Sequence, residues 1–321
     1  MGRQIDPMMM YKVASYYYKD GLSQMEIAEM ERISRSQISR ILDRARASGM
    51  VRVSVALPEN KQASQLAQTL ERRLKLSKVV IAQSAAEERK RAHAIASAAA
   101  CYLPEALKGC RLVGIGWGQT VYETSLQMPY SRDRDAAVFV PLVGVSGVAN
   151  PVFQMNTIID RMAERRRAKG YFLSLPTFRQ KMLPMADVDK KRVACLKAYW
   201  KKLDAAVFGL GTIRQAERFM QEEASSRFMT TARNSAAQGE ILSRFFYEDG
   251  RPLQIHDDAI EQLAFRLEDL HKVPKTICLA GGPEKVPVLI QAARCRFFNH
   301  LVTDRLTAER MIQTMDGEAA V

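Results

Sequence analysis

Polar and basic side chains are concentrated at the start of one short segment near the beginning of the chain. Positions 34–40 read Ser-Arg-Ser-Gln-Ile-Ser-Arg. Arginine can read guanine through two hydrogen bonds, glutamine can read adenine in the same way, and a hydroxyl at a helix N-terminus can hold a phosphate. Positions 32–52 contain six arginines and a single acid, so the local charge is +5. These residue types and this charge indicate binding to double-stranded DNA.

Two short helices joined by a tight turn must position these side chains. The pattern predicts helices over 24–31 and 35–47, each with a serine N-cap and a glutamate or glutamine three residues later, which is a capping box. Ile38 and Ile41 would face the core. The outward-facing DNA-binding candidates are then Gln24, Ser34, Arg35, Ser36, Gln37, Ser39 and Arg40. The arrangement predicts a helix-turn-helix, and a solvated amphipathic helix is the alternative.

The turn between these helices departs from the usual pattern at two positions. Arg32 stands where many helix-turn-helix proteins have glycine, so it must either adopt a positive φ or force a different turn. Glu31 is polar where an apolar anchor is common, and Met30 is the expected substitute. A further helix precedes the pair and ends at Asp20-Gly21. Its predicted apolar face consists of Met9, Val13, Tyr16 and Tyr17.

The remainder of the chain alternates between strand-like runs and helix-length spacers. The predicted strands are 79–82, 112–115, 137–142, 171–175, 205–210, 276–280 and 300–303. Several are continuous apolar runs, as expected for strands buried on both faces, so the fold class is α/β with a parallel sheet covered by helices. The segment 239–255 is predicted as a hairpin joined at Asp249-Gly250. A short strand at Val51, Val53 and Val55 and a linker at 58–60 divide the chain into domains 1–57 and 58–321.

A glycine-rich turn follows the predicted strand 112–115 and opens a helix. Its spacing, Gly114-x-Gly116-x-Gly118, is not a dinucleotide fingerprint, and nothing in the chain resembles a Walker loop. A glycine turn lets the backbone approach a ligand, and the helix N-terminus that follows can hold an anion or hydroxyl groups. The candidates here are Gly116, Trp117, Gly118, Gln119 and Thr120, with Trp117 able to cover a sugar ring. A purely steric use of glycine is the alternative.

Lys285 lies just after a second strand-to-helix turn, Gly281-Gly282. A cation in the first turn of a helix opposes the helix dipole unless an anion compensates, so Lys285 favours a phosphate or carboxylate ligand over a role as a surface lysine. Asn156 and Asp304 lie near predicted element ends, where they could bind a hydroxyl group. Each could equally be a cap or a solvated residue.

These motifs together resemble the SorC-type transcriptional regulators. The first-domain matches are Gly21 to Gln24, Glu26 to Ala28, Ile33 to Leu42, and Ala45 to Val51; the second-domain matches are Gly114 to Thr120, Pro141 to Gly144, Ala280 to Gly282 with Lys285, and Leu301 to Asp304 with Thr307-Ala308. The resemblance implies a cytoplasmic bacterial regulator with a phosphosugar-isomerase-like effector domain, usually tetrameric. It implies an effector that is a sugar, polyol or sugar phosphate, and it adds Glu240 to the candidate site through a Gly-acid-Ile pattern.

Composition bounds the remaining function classes. The chain has 321 residues and a net charge of +13, and its ordinary apolar content excludes disorder, collagen and coiled coil as descriptions of the whole. The scattered cysteines and histidines predict no metal, and no cofactor or catalytic residue is expected. The five cysteines are expected to be buried, reduced thiols. No signal peptide or membrane span is visible, so a cytoplasmic protein is expected. A homo-oligomer, either a dimer or a tetramer, is a separate expectation. The alternative function is a sugar-phosphate-converting enzyme with an accessory DNA-binding domain.

Most of the positive charge lies outside the DNA-binding candidate. Residues 1–60 hold nine basic and seven acidic residues, whereas 160–204 alone hold 13 basic and five acidic residues. That second segment is expected to be solvated helix surface, with contact to DNA beside the operator as the alternative. The global charge therefore does not locate the DNA site, whereas the local charge of +5 does.

Overall fold

The computed structural model describes residues 6–18, 20–51, 61–131, 134–147, 150, 152, 154–220, 224–255 and 259–319. The chain divides into two compact units, Met1–Pro58 and Glu59–Val321. The strand predicted beyond Val51 and the linker predicted at 58–60 lie outside the described residues.

Three helices build the first unit: α1 (Pro7–Tyr18), α2 (Gln24–Glu31) and α3 (Arg35–Ala47). The second and third begin and end at the predicted residues, because both predicted capping boxes form at Ser23 and Ser34. Val13, Ile27, Ile38 and Leu42 are fully buried where the three helices meet.

In the turn between α2 and α3, Arg32 adopts a positive φ and does not force a different turn. Arg32 has φ 53 and ψ 40, so an arginine occupies the left-handed conformation that usually favours glycine. Glu31 is held by Lys12 of α1 at 2.8 Å rather than packed as an apolar anchor. Met30 remains 55% exposed, so the expectation that it replaces that anchor was wrong.

The second unit is built on a seven-stranded, all-parallel sheet. Its order is β1-β12-β11-β6-β2-β3-β4. The strands are β1 (Lys78–Ala82), β2 (Leu112–Ile115), β3 (Val138–Pro141), β4 (Lys169–Gly170), β6 (Ala205–Phe208), β11 (Lys275–Leu279) and β12 (His300–Asp304). All four residues of β6, which is central, are buried, as the continuous apolar run predicts.

Helices pack on the sheet, and short strands form two small sheets outside it. The helices are α4 (Lys61–Leu74), α5 (Glu88–Ala106), α6 (Gln119–Gln127), α7 (Met155–Arg166), α8 (Asp187–Trp200), α9 (Ile213–Met220), α10 (Ser226–Asn234), α11 (Val286–Arg294) and α12 (Arg305–Ala319), with 3-10 turns at Leu267–Lys272 and Pro283–Lys285. The short strands are β5 (Phe178–Gln180), β7 (Gly211–Thr212), β8 (Gly239–Ile241), β9 (Arg244–Phe246) and β10 (Ile260–Gln262). The prediction of an α/β fold with a parallel sheet is confirmed.

The strand predicted over 171–175 does not form. The sheet edge is instead the two-residue β4, and the chain turns away after Tyr171 donates its N–H to the Phe139 carbonyl. The Asn156 side chain explains the departure, since its amide donates to the Leu173 carbonyl at 2.7 Å and accepts from the Leu173 N–H at 3.1 Å. A side chain thereby takes the place of the ladder that would have continued the strand.

The hairpin in 239–255 forms with a different turn from the one predicted. Strands β8 and β9 are joined at Leu242-Ser243, whereas the Asp249-Gly250 turn closes only an isolated bridge between Phe246 and Pro252. Leu242 and Ser243 have φ values of 54 and 63. A two-residue turn with positive φ values normally has glycine or asparagine at these positions, and this turn has neither. Tertiary contacts hold them there: both residues are buried, and the Ser243 carbonyl accepts from the Gln262 side chain at 2.6 Å.

Three of the five cysteines are not buried, so the expectation that all are buried thiols was wrong for them. Cys101 and Cys195 are exposed, Cys295 is half-buried, and Cys110 and Cys278 are buried. Cys101 lies in α5 and Cys195 in α8, on helix positions that turn away from the sheet. In the part of the chain that the structure describes, no helix is long and apolar enough to cross a membrane.

Candidate functional site

A cavity lies where the strand order reverses. In the strand order, the chain passes from β2 to its neighbour β3 in one direction and from β6 to its neighbour β11 in the opposite direction. Ligands of open α/β sheets bind at the carboxyl ends of the strands at such a switch point. A cavity of about 150 Å³ occupies this position, and it is lined by residues that follow β2, β6 and β11. We call it the switch-point cavity.

The glycine turn after β2 forms one wall of the switch-point cavity. Gly118 is the N-cap of α6 with φ 120, a conformation that favours glycine, and no side chain caps the helix. The first N–H groups of α6 are therefore open to a ligand oxygen. Trp117, Gln119 and Thr120 line the cavity beside Gly118 as predicted. Gly116 does not line it; a side chain there would collide with Leu242 and Phe208, so its glycine serves packing.

Lys285 supplies a cation to the same space. It ends the 3-10 turn Pro283–Lys285, stands at the N-cap position of α11, and lines the cavity. Burial lowers the pKa of its ammonium, while the nearby carboxylates of Glu284, Glu88 and Glu240 act in the opposite direction. A positive charge held half-buried at a helix start is unfavourable alone, and a bound anion would compensate it.

Glu240 lines the opposite side of the cavity, on β8. Burial raises the pKa of this carboxyl to about 7, although the Ser243 N–H that it accepts and the charge of Lys285 both lower it. The Ser243 N–H comes from the strained hairpin turn, where each left-handed residue costs about 1–3 kcal/mol. A hydrogen bond from the strained turn therefore positions a carboxyl with a pKa of about 7 in the lining of the cavity.

Two predicted site residues are directed elsewhere. The Asn156 side-chain amide donates to the Leu173 carbonyl and accepts from the Leu173 N–H. Asp304 is fully buried and accepts from the Thr307 N–H, the Thr307 hydroxyl and the Ser84 hydroxyl, so it caps α12. Neither residue lines the switch-point cavity. The alternative of a cap or a solvated residue fits Asp304, which is a cap, whereas half-buried Asn156 is neither and binds the Leu173 backbone.

Other lining residues were missed by sequence reasoning. Glu88 opens α5, and its carboxylate accepts from the Gln215 side chain at 3.3 Å. Gln215 and the Gly209–Gly211 turn follow β6, and they line the cavity with Leu242. The Gly-Leu-Gly sequence after a predicted strand was a usable signal for the turn. Glu88 had none, because its place in the cavity depends on how α5 packs.

A neighbouring cavity of about 510 Å³ extends the space for a ligand. It shares Glu88, Gln119, Thr120 and Lys285 with the switch-point cavity, and Arg89 and Gly281 complete one side. Together the two cavities offer a cation, helix N–H groups and carboxylates. In the residues that the structure describes, no group of three or more His, Cys, Asp or Glu side chains could hold a metal ion.

Six of the DNA-binding candidates lie in the first half of α3 and its N-cap, and the seventh, Gln24, is the first residue of α2. Arg35, Ser36 and Arg40 are exposed, Ser39 and Gln24 are half-buried, and Ile38 is buried as predicted. Ser34 and Gln37 are exposed but already engaged, because Ser34 accepts from the Gln37 N–H and Gln37 accepts from the Ser34 N–H at 2.9 Å. The Ser36 hydroxyl also lies 2.9 Å from that of Ser34, so Ser34, Ser36 and Gln37 all make contacts within the helix end.

The capping box leads to a stability prediction. Ser34→Ala removes the side chain that accepts from the N3 amide of α3, and we expect it to cost about 1 kcal/mol of the free energy of unfolding. Denaturant unfolding followed by circular dichroism measures the loss. Ser39→Ala is the matched control, with an expected change within about 0.5 kcal/mol. Equal stability of the two variants would contradict a structural role for Ser34.

Comparison with known proteins identifies a matching family model and related regulators. A family model described as "Putative sugar-binding domain" matches residues 59–313. The sorbitol operon regulator of Klebsiella pneumoniae is 27% identical over 316 residues, covering 96% of this chain and 98% of that protein. The deoxyribonucleoside regulator of Bacillus subtilis is 27% identical over 309 residues, covering 95% and 97%.

The fold is also shared with a solved structure. The crystal structure of the full-length sorbitol operon regulator SorC from Klebsiella pneumoniae superposes with a TM-score of 0.73 at 24% identity, covering 97% of this chain and all of that one. The relatives match along almost their whole length, and the family model spans most of this chain. The chain therefore belongs to the sugar-binding-domain family and is a SorC-type transcriptional regulator.

Proposed function

We propose that the helical unit binds operator DNA and that the switch-point cavity binds a sugar, polyol or sugar phosphate that controls this binding. A sugar phosphate fits the cavity best. The relatives, named for a sorbitol operon and for deoxyribonucleosides, support an effector of this class and a role in a carbohydrate catabolic operon. Operator DNA as a partner makes the cytoplasm the site of action.

The pairing of Lys285 with the α6 N-terminus is the single observation that carries the effector assignment. Both line one cavity, and both favour an anion such as a phosphate. Glu88, Gln215 and Glu240 lie across the same space and offer the acceptors and donors that sugar hydroxyls need. Trp117 adds an apolar face that can cover a sugar ring.

A single helix-turn-helix binds DNA too weakly for regulation, so we propose a homodimer or homotetramer. Paired recognition helices would then contact pseudo-palindromic half-sites about one helical turn apart, or a multiple of it. Effector binding would favour one arrangement of the paired helices over another and so change operator affinity. Analytical ultracentrifugation and footprinting measure the assembly and the half-site spacing.

The alternative function is a sugar-phosphate-converting enzyme. General acid–base chemistry on a sugar needs a positioned histidine or carboxylate pair. Glu240, with a pKa of about 7, could serve as one such group, and Glu88 shares its cavity. We propose that these carboxyls bind hydroxyl groups and do not catalyse.

A ligand screen tests this assignment. The protein is incubated with sorbitol, erythritol, and pentose and hexose phosphates, thermal shift reports binding, and mass spectrometry and NMR examine the recovered compound. Binding to the native state raises the unfolding temperature, increasingly so as the ligand concentration exceeds its dissociation constant, and we expect at least one compound to do so and to be recovered unchanged. Conversion of a bound compound at a useful rate would establish the enzyme and contradict the proposed function.

The raised pKa of Glu240 predicts that a phosphorylated effector binds more weakly as the pH rises. Below pH 7 the carboxyl is largely neutral, and above pH 7 it becomes an anion facing a phosphate that is already dianionic. Binding of the dianion favours the protonated carboxyl, so affinity should fall above pH 7 by up to about tenfold per pH unit.

Isothermal titration between pH 7 and 8.5 measures this dependence. In Glu240→Gln the position cannot ionise, so we expect the slope to flatten. A slope unchanged in Glu240→Gln would assign the titration to another group, such as Lys285, and contradict the role given to Glu240.

A further inference from the structure

A second cavity, distinct from the switch-point cavity, lies beside the end of α8. It has a volume of about 590 Å³, within the range of small-molecule sites. Its floor is apolar and aromatic, with Leu203, Phe265 and a half-buried Trp200. The Trp200 indole is fixed, because its N–H donates to the Pro141 carbonyl at 2.8 Å and its ring meets Phe265 edge-on. We call this space the basic cavity.

Five cations line the basic cavity: Lys197, Lys201, Arg244, Arg266 and Lys272. Among the lining residues that the structure describes, Asp269 is the one acid; it accepts from Lys272 at 2.7 Å and lies 3.8 Å from Arg266, which also pairs with Glu268 at 3.6 Å. These described lining residues carry a net charge of +4. Lys197 and Lys201 lie four residues apart on one helix face, where like charges repel. The dipole at the end of α8 explains cations there, but not the convergence of three more from other elements.

Arg244 is the most firmly placed of these cations. It lies on β9, and its guanidinium donates to the carbonyls of Phe265 and Ala264 at 2.8 and 2.9 Å. Burial lowers the pKa of this arginine, so its charge is held in an unfavourable place. The strained turn Leu242-Ser243 immediately precedes it, with Leu242 lining the switch-point cavity. The hairpin thus contributes lining residues to both cavities.

We propose that the basic cavity is a second ligand site, which binds a small phosphorylated molecule. The multiple cations require a ligand with two or more negative charges, and phosphate groups match both the lysines and the guanidinium groups. A cavity with an aromatic floor suits a compact ligand better than a DNA backbone. This site does not depend on the effector role of the switch-point cavity.

The two tryptophans of the chain allow the two sites to be observed separately. Trp117 lines the switch-point cavity and Trp200 lines the basic cavity, and the chain has no other tryptophan. Trp117→Phe leaves Trp200 as the only indole reporter. We expect inorganic pyrophosphate to change its fluorescence saturably. In this background, Lys197→Ala with Lys201→Ala should weaken the titration by about tenfold or more.

A matched control separates a built site from diffuse charge. Lys191→Ala with Lys202→Ala removes the same charge from exposed lysines that do not line the basic cavity, and it should leave the titration unchanged. Lys285→Ala should also leave it unchanged. Equal weakening by both lysine pairs, a loss in Lys285→Ala, or no saturable change in Trp117→Phe would each overturn the proposal.

Calorimetry covers the case in which Trp117→Phe fails to fold. In Lys285→Ala, which keeps both tryptophans, pyrophosphate binding should persist, and it should weaken by about tenfold or more when Lys197 and Lys201 are also changed. A random DNA duplex is titrated in parallel. If changing Lys197 and Lys201 weakens binding to that duplex and leaves pyrophosphate binding intact, the face is a DNA surface and the proposal fails.

Discussion

Lys285→Ala is expected to bind operator DNA normally and to lose its response to the effector. Among the described lining residues, Lys285 is the cation of the switch-point cavity, and the uncapped N-terminus of α6 lines the same cavity. Hydrogen bonds to charged groups contribute about 1.5–3 kcal/mol each, so the affinity for a phosphorylated effector should fall about 10- to 150-fold. Isothermal titration with the compound selected by thermal shift measures the loss.

The control for this variant is Lys108→Ala. Lys108 is exposed in the turn after α5 and does not line either cavity, so both effector affinity and operator affinity should remain at the wild-type level. Wild-type effector affinity in Lys285→Ala would remove this lysine from the site. Loss of operator binding without effector would show that the lysine supports the fold instead.

Arg40→Ala is expected to weaken operator binding without unfolding the protein. Arg40 is exposed on the second turn of α3, and its side chain makes only a long 3.4 Å contact to the Ser36 carbonyl. An arginine that reads a base pair contributes about 1–3 kcal/mol of discrimination, so affinity for the selected operator should fall about 5- to 150-fold. Fluorescence anisotropy with labelled duplexes measures the change.

Arg46→Ala provides the comparison on the same helix. Arg46 lies in the last turn of α3 and pairs with Asp43 at 3.2 Å, so it is remote from the end that carries the recognition side chains. We expect a much smaller effect on operator affinity than from Arg40→Ala. Equal losses in the two variants would mean that α3 acts only through its overall charge, and retained affinity in Arg40→Ala would remove it from the interface.

The helices of the first unit were predictable because local chemistry determines their ends. A serine cap with its partner three residues later satisfies the first N–H groups of α2 and α3, and this requires nothing from distant residues. The central strands were predictable for a related reason. Runs such as 205–208 are apolar on both faces and belong inside a parallel sheet.

The errors arose where a distant side chain decides the backbone path. Asn156 binds the Leu173 backbone and ends the expected strand, although 17 residues separate them. The Asp249-Gly250 signal is the stronger local turn motif, yet the hairpin forms at Leu242-Ser243, where Glu240 and Gln262 bind the Ser243 backbone. No local pattern predicts left-handed leucine and serine, because tertiary contacts offset the strain.

The site was predictable in its main chain and less so in its side chains. Glycine turns after buried strands mark the carboxyl ends of a parallel sheet, and Trp117 to Thr120 follow from that rule. Lys285 followed from its conflict with the helix dipole. Glu88 and Gln215 enter the cavity only because separate helices pack around it, and Asp304 appeared ligand-like although it accepts from Thr307 and Ser84.

Operator affinity measured with and without a bound effector tests the central claim most directly. An operator is selected from randomised duplex DNA by the full-length protein, and anisotropy gives its dissociation constant across a titration of the compound found by thermal shift. We predict a shift in operator affinity that follows occupancy of the switch-point cavity, that is absent in Lys285→Ala, and that leaves the compound chemically unchanged. A compound that saturates this cavity and leaves operator affinity constant would contradict the account.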